Sequence, residues 1–217
     1  MASRIMHYAI ASKVAERIVI KDYNRFIIGS LAPDMSSHID GSYTVSHFGC
    51  VCIEKGIKGI DFIKFCNKYR SQILEDDFIL GYFVHLITDS YWLKNIQDRF
   101  VRKKDKQEKK RLAEQGYREM RRYNAILIPE YKLINNIKSV DNITVEEVSI
   151  SYINQLLSDL FADFSSGPNG GINFQIYPFD IVMSFLVNSA ERCVQEINAL
   201  LENGQQGNPE DFYVTLS

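Results

Sequence analysis

The sequence predicts an all-α protein that folds as one helical domain over residues 1–217. Apolar residues recur at helical spacing along most of the chain, which is the pattern of amphipathic helices. No segment shows convincing alternation of apolar and polar residues, the pattern of a half-buried strand. A length of 217 residues and a hydrophobic fraction of 46% are sufficient for one core of generous size.

The first predicted helix has Ser3 as its N-cap and runs to about Ile20. Its apolar stripe consists of His7, Ile10, Ala11, Val14 and Ile18. A second helix, in DYNRFIIGSLA, ends at Pro33, because the residue before a proline is pushed out of the α region. Residues 35–55 are rich in Ser, Gly and Thr and predict a long loop, in which we expect His38 to be exposed.

Five more helices are predicted in the rest of the chain, at 58–71, 76–98, 107–127, 145–164 and about 178–203. The string SSGPNGG at 165–171 is the clearest break between them. After the last helix, a polar tail ends in a short Phe-Tyr-Val segment. We expect that segment to dock on the core.

Several general features bear on location and partners. There is no run of about 18 apolar residues, so no transmembrane helix is predicted. Polar residues interrupt the first apolar stretch, which is therefore not typical of a secretory signal. We expect a cytoplasmic protein with its four cysteines as free thiols. The net charge of −2 gives no general attraction to nucleic acid.

The residues most indicative of chemistry are His85 and Asp89, in GYFVHLITDSYW. Residues four apart on a helix share a face, with Cβ atoms ~5–6 Å apart. An ionised Asp in so apolar a helix needs a strong partner, because burying an unpaired carboxylate is costly. A divalent cation held by both side chains would provide one, and a plain His–Asp hydrogen bond would provide another. The pair alone leaves both interpretations open.

Three other residues are candidates for the same site: His7 on the first apolar stripe, Asp34 after Pro33, and His47 in SHFG. Each has a structural alternative, since buried histidines usually find a hydrogen-bond partner and Asp often caps a loop. Gly81 leaves room beside the pair. We expect Tyr82, Phe48 and Trp92 to line a pocket there, although Trp92 taken alone is more typical of a core residue.

Four motifs occur in order: SRIMHYAIA at the start, FIIGSLAPD at 26–34, SHF at 46–48 and GYFVHLITDSYW at 81–92. This pattern resembles the zinc-dependent phospholipase C family, whose all-α fold and metal cluster are shared with the P1-type nucleases. Farther along, GYREMRRYN at 116–124 is similar to a following helix of the family. The resemblance implies a helical bundle of the phospholipase C/P1 nuclease type.

The resemblance also implies a metal site. It assigns His47, His85 and Asp89 to one zinc, and His7 and Asp89 to a neighbouring metal, with Asp89 bridging. Asp34 is then a further ligand or the base that activates water, so Asp34 and Asp89 are the expected catalytic residues. We expect one or two zinc ions, with manganese or iron as alternatives for an oxygen-rich shell.

The chain departs from the family in two respects. No histidine follows His85, so the family's third metal site cannot be built in the same form. Nothing in the sequence selects an oxygen ligand among Glu119, Asp159, Asp163 and Glu191. The secreted members of that family also use a processed amino terminus as a ligand, and we do not expect the same chelate here.

The expected function is that of a metal-dependent phosphoric-ester hydrolase, a phospholipase C-like phosphodiesterase that uses metal-activated water on a small-molecule or lipid phosphoester. The missing downstream histidines motivate an alternative, a non-enzymatic helical scaffold protein with a structural metal site and an unknown binding partner. In a third interpretation there is no metal, and the histidines are satisfied core residues. No P-loop, GxSxG or GxGxxG motif is present.

One surface feature stands apart from the site. The run RFVRKKDKQEKKR at 99–111 carries eight cationic side chains. A solvated loop and helix start is the usual meaning of such a run. Weak contact with an anionic membrane surface is the functional alternative. We expect no nucleic-acid partner, except in the role of a substrate.

Overall fold

The computed structural model describes residues 2–35, 42–165, 174–202 and 206–216, and most of them are helical. The predominance of helix confirms the coarse prediction from the sequence. Buried hydrophobic side chains from all parts of the described chain form one contiguous cluster. Among the described residues no helix is long and apolar enough to cross a membrane.

The first two helices begin where the sequence places them. In α1 (Arg4–Ala15) the Ser3 side chain accepts the Met6 N–H, and in α2 (Tyr23–Leu31) Asp22 accepts the Arg25 N–H. α1 ends before the predicted Ile20, because the N–H groups of Arg17 and Ile18 both turn back to the Val14 carbonyl. After α2, a 3₁₀ turn at Ala32–Met35 contains the predicted terminator Pro33.

A small antiparallel sheet is the main departure from the prediction. After α3 (Ser42–Ser46) come β1 (Gly49–Cys52) and β2 (Ile57–Ile60), and β3 (Val214–Thr215) completes the order β1-β2-β3. The predicted loop at 35–55 and the predicted helix start at 58 are therefore wrong. Strands of four residues are too short to show a clear alternation, and GCVC has no apolar–polar contrast. His38 lies outside the described residues.

The remaining helices largely follow the predicted segments. They are α4 (Phe62–Lys68), α5 (Asp77–Trp92), α6 (Lys106–Glu130), α7 (Ile153–Ser165) and α8 (Phe179–Leu201). The predicted start at 145 is wrong, because α7 begins only at Ile153. A π-helix, Leu93–Arg102, continues α5, and 3₁₀ turns lie at Ile150–Tyr152 and Pro209–Phe212. Ser165 ends α7, and the rest of SSGPNGG lies outside the described residues.

The predicted docking of the tail is confirmed. Phe212, Tyr213 and Val214 are all buried, and β3 adds to the sheet through the pairing of Lys58 with Val214. The Tyr213 ring covers Gly59, where any side chain would collide with it. The carboxyl end of the described chain therefore closes the sheet.

Two glycines bring α2 and α5 into backbone contact. A Cβ at Gly29 would overlap the carbonyl oxygen of Phe78, and a Cβ at Gly81 would overlap that of Phe26. The space at Gly81 is thus filled by the α2 backbone and not by a pocket, contrary to our expectation. This close crossing places α5 against the end of α2, where the candidate site begins.

Candidate metal centre

The structure brings the five candidate side chains together in the interior. His7 comes from α1, Asp34 from the 3₁₀ turn after α2, His47 from the residue after α3, and His85 and Asp89 from α5. Their side chains expose between 0% and 8% of their surface. Three histidines and two carboxylates from four helical segments thus share one buried space.

Asp89 lies at the centre of the group. Its Oδ1 is 3.3 Å from His7 Nε2, and its Oδ2 is 3.6 Å from His47 Nε2 and 3.7 Å from His85 Nε2. The second carboxylate, Asp34, also approaches His47: its Oδ1 is 3.6 Å from His47 Nε2. The His7 and His85 rings are stacked, with centroids 3.8 Å apart. Each oxygen of Asp89 therefore faces a different histidine or histidine pair.

Backbone carbonyls orient two of the imidazoles. His85 Nδ1 lies 2.8 Å from the carbonyl oxygen of Ser30, which can only accept, so this nitrogen carries the hydrogen. His47 Nδ1 lies 3.0 Å from the Tyr43 carbonyl and 2.9 Å from the Ser46 hydroxyl, and the carbonyl again favours donation. In neutral rings of this tautomer, both Nε2 atoms present lone pairs to the site.

These two lone pairs face each other. His47 Nε2 and His85 Nε2 are 3.2 Å apart. Two acceptors at this distance, next to two carboxylates, need a positive charge between them: a proton on one ring or a metal ion. Within the described residues, His7 Nδ1, His7 Nε2 and Asp34 Oδ1 are buried without a hydrogen bond. The contact of His7 Nε2 with Asp89 is therefore close but not aligned as a hydrogen bond.

The charges in the site follow from burial and from one another. Burial lowers the pKa of His7 and His47, and His85 lowers both further. At His85, burial is outweighed by Asp89 and Asp34, so its pKa is raised. Burial opposes ionisation of the carboxylates, but the histidines lower the pKa of Asp34 to about 2 and that of Asp89 well below its usual range. Both acids are therefore held as carboxylates, the form that binds cations.

The donor set fits a divalent metal such as zinc, which takes imidazole nitrogen and carboxylate oxygen. Two groups have ligand atoms within 4.8 Å of one another: His7, His85 and Asp89, and Asp34, His47 and His85. They share His85, whose free Nε2 can bind one ion. The two oxygens of Asp89 are also compatible with a bridging role between the His7 side and the His47–His85 side.

A cavity of about 490 Å³ adjoins the group. Asp34 lines it, together with Ala2, Ser3, Arg4, Tyr43, Gln97, Val101, Gly116, Tyr117, Met120, Arg121, Asn124, Asp163 and Tyr177. At the same end, the backbone N–H of Ala2 donates to Asp89 Oδ1 at 3.1 Å. Asp34 is the predicted ligand that borders both the buried group and the cavity.

The expected pocket residues lie elsewhere. Phe48, Tyr82 and Trp92 are buried in the core and do not line this cavity. Trp92 packs against Tyr177 and Phe185, and the Tyr82 hydroxyl donates to the Ser46 carbonyl. Our expectation for these three is therefore wrong, because the helices pack tightly where a pocket was expected.

The acids considered as additional ligands have other partners. Glu119 accepts the N–H groups of Gln175, Ile176 and Tyr177, and Glu191 pairs with Arg17 on the surface. Asp163 lies 2.8 Å from Arg4, and Asp159 lies 3.7 Å from it. None of the four belongs to a group of metal-ligating atoms found in the described part of the chain.

Sequence reasoning missed the groups that orient the ligands. The carbonyls of Ser30 and Tyr43 hold His85 and His47, and the Ala2 N–H holds Asp89. Every residue carries a carbonyl, so no residue type marks these positions. Arg4, one turn before His7 on α1, was detectable as a cation beside the site.

Comparisons of the chain with protein-family models, with curated proteins and with solved structures found no match.

Proposed function

We propose that this chain is a metal-dependent phosphoric-ester hydrolase of the phospholipase C-like type, acting on a small-molecule or lipid phosphoester. The supporting observation is the facing pair of lone pairs, His47 Nε2 and His85 Nε2, 3.2 Å apart beside the carboxylates of Asp89 and Asp34. A metal ion of the zinc type would accept both lone pairs and offset the negative charge of the adjacent carboxylates. A single proton shared by the two nitrogens satisfies both of them, but it leaves the two buried carboxylates with one negative charge in excess.

The cavity favours catalysis over a purely structural role. Asp34 borders both the buried ligands and the cavity, so a substrate in the cavity can reach the ligand group at this carboxylate. Arg121 and Asn124 line the same cavity and can donate hydrogen bonds to phosphate oxygens. Arg4 is held by Asp163 and Asp159, so we assign it the role of shaping the wall.

Each protein group then has a defined task. His85 and His47 supply Nε2 lone pairs whose direction is fixed by the backbone, and Asp89 joins them to His7. When bound, the metal would polarise the phosphoester and lower the pKa of water. The low pKa of Asp34 suits a ligand more than a general base, because a base works best with a pKa near the working pH.

The scaffold alternative has one observation in its favour. The five candidate side chains are nearly fully buried, as in a structural metal site. It predicts bound metal with no turnover of phosphomonoesters or phosphodiesters. Activity toward a chromogenic phosphoester panel therefore separates the two functions.

The test of the proposal is metal content together with activity. We expect the purified protein to contain zinc or a similar metal by elemental analysis, and to hydrolyse at least one chromogenic phosphoester. His85→Ala and Asp89→Asn should each lose the metal and reduce turnover at least a hundredfold, roughly the effect of removing one catalytic group.

Asp77→Asn is the matched control. Asp77 is also a buried carboxylate of α5, but it accepts the N–H of Asp22 at the other end of the helix. This variant should keep both metal and activity. Stoichiometric metal in His85→Ala and Asp89→Asn would refute the assignment of the site.

A further inference from the structure

We propose that the β1–β2 hairpin and the basic residues beside it form a surface that docks on an anionic lipid bilayer. We call this the hairpin surface and define it as Val51, Ile53, Lys58, Arg102 and Lys109. It includes two members of the basic run at 99–111. The inference is independent of the metal centre.

The tip of the hairpin exposes aliphatic side chains. Ile53 is 83% exposed and Val51 is 60% exposed, although both are apolar. Ile53 stands at the turn, where its carbonyl accepts the Gly56 N–H, and Val51 is the last but one residue of β1. Aliphatic side chains at a protruding turn can enter the headgroup region of a bilayer, where they are removed from water.

Cations lie beside these apolar residues. Lys58 is paired with Val51 across β1 and β2, so the two side chains leave the same face of the sheet. Lys58 is also paired with Val214 of β3, and Arg102 donates to the carbonyl of the next residue, Thr215, at 2.6 Å. Lys58 therefore lies on the central strand β2, between β1 with Val51 and β3, against which Arg102 packs.

The charges of this group act on one another. The pKa of Lys58 is lowered by burial and then by Arg102 and Lys109. Arg102 also pairs with Asp98 at 3.2 Å and its side chain is only 12% exposed, so Lys58 and Lys109 carry the charge of the surface. Lys55 pairs with Glu210, and we leave it out of the surface. An anionic bilayer complements a surface on which Lys58 stands opposite the exposed Val51 and beside the exposed Ile53, and this combination of charge and apolar side chains selects it as the partner.

A bilayer fits this surface better than a nucleic acid does. Single strands are usually held by aromatic rings that stack on bases, and Val51 and Ile53 offer none. The surface also adjoins the cavity, because Gln97 and Val101 of the same π-helix line the cavity and Arg102 follows directly. A docked protein would therefore hold this side of the cavity near the membrane.

The experiment is vesicle sedimentation of the full chain in chelator, which makes the result independent of metal. Vesicles of phosphatidylcholine alone are compared with vesicles that contain about 30% phosphatidylserine. We expect binding to the anionic vesicles only, and its loss at high salt. The variants V51S/I53S and K58Q/K109Q should each weaken binding at least fivefold.

Two double variants serve as matched controls. V19S/V187S removes two exposed valines outside the surface, 89% and 63% exposed, and K21Q/K138Q removes two exposed lysines outside it. Both should bind like the unmodified chain. If V51S/I53S fails to fold, as judged by circular dichroism, K58Q/K109Q decides the test alone.

Three results would overturn the proposal. The first is equal binding to both kinds of vesicle, or no binding to either. The second is unchanged binding by K58Q/K109Q. The third is a loss of binding to a single-stranded oligonucleotide in these variants with vesicle binding intact, which would assign the surface to nucleic acid.

Discussion

The two ring nitrogens of His85 make different contacts. Its Nδ1 donates to the Ser30 carbonyl, and its Nε2 faces His47 and Asp89. A backbone hydrogen bond of this kind is a common way to fix the tautomer and orientation of a metal-binding histidine. Asp89 and Asp34 raise the pKa of His85 against the effect of burial, because their negative charges favour a positive charge at this point.

Away from the site, Arg25 and Asp76 form a partly buried ion pair with two short hydrogen bonds. Arg25 Nε donates to Asp76 Oδ1 at 2.6 Å, and Arg25 Nη2 donates to Asp76 Oδ2 at 2.7 Å. Burial opposes the charge on Asp76, but Arg25 outweighs it, so its pKa is lowered. A carboxylate with a lowered folded-state pKa stabilises the protein above its unfolded value of about 4 and stops doing so as the pH falls through the folded-state value. Asp76→Asn, which keeps the N-cap of α5, should therefore destabilise the protein near neutral pH, with a difference that shrinks in acid.

Denaturant unfolding at about pH 7 and about pH 3 measures this difference. Glu191→Gln is the control, because it removes an Arg–carboxylate pair with Arg17 whose side chains are 46% and 48% exposed. Pairs exposed to this degree contribute little to stability, so this variant should unfold like the parent chain at both pH values. A pH-independent effect of Asp76→Asn would contradict the prediction.

At the level of residues, the sequence predicted which side chains form the site, but it did not predict which backbone groups orient them. His7, Asp34, His47, His85 and Asp89 were selected from residue type, spacing and resemblance, and they lie together. Their role as metal ligands stays a prediction. The carbonyls of Ser30 and Tyr43 could not be selected, because their position depends on how α2 and α3 meet α5.

At the level of elements, the crossing of α2 and α5 supports the site. Gly29 and Gly81 let the two backbones touch, and this contact brings the Ser30 carbonyl to His85 Nδ1. A side chain at either glycine must push the helices apart, because the obstructing atoms belong to backbone that cannot rotate away. The geometry of His85 therefore depends on residues that carry no chemistry of their own.

Gly81→Ala should lower the free energy of unfolding by about 1–3 kcal/mol or more, the usual cost of overpacking a close contact. It should also reduce the metal content, because the Ser30 carbonyl moves away from His85. Gly116→Ala is the comparison. The atoms nearest to its Cβ would belong to the Tyr177 side chain, at 3.0 Å, and Ala favours the helix by up to ~1 kcal/mol. Denaturant unfolding and elemental analysis measure both effects, and equal losses in the two variants would contradict the argument.

The elements that the sequence did not predict are those formed by few residues and by long-range pairing. β1 and β2 have four residues each, and β3 has two, from the far end of the chain. Their stability comes from pairing and from the Tyr213 ring over Gly59, which local periodicity does not record. The long helices were predictable because each shows several turns of its own apolar stripe.

At the level of the whole molecule, the candidate centre joins distant parts of the chain. Its five residues span positions 7 to 89 and come from four helical segments. An ion in one ligand group would link α1 to α5, and an ion in the other would link the ends of α2 and α3 to α5. Without a cation, the folded state must hold two ionised carboxylates and facing lone pairs in its interior, which is costly. The proposed metal would therefore contribute to folding as well as to catalysis.

This argument predicts that metal removal destabilises the protein. A ligand at about 100 times its Kd stabilises the native state by roughly 2.7 kcal/mol, which for a chain of this size raises Tm by roughly 5–10 °C. We expect chelation to lower Tm by an amount in this range and added zinc to restore it, as measured by differential scanning calorimetry. Asp89→Asn should show no response to either treatment, whereas Asp77→Asn should respond like the parent chain. A parent Tm that is unchanged by chelator and by zinc would mean that a proton, and not a metal, satisfies the facing nitrogens of His47 and His85.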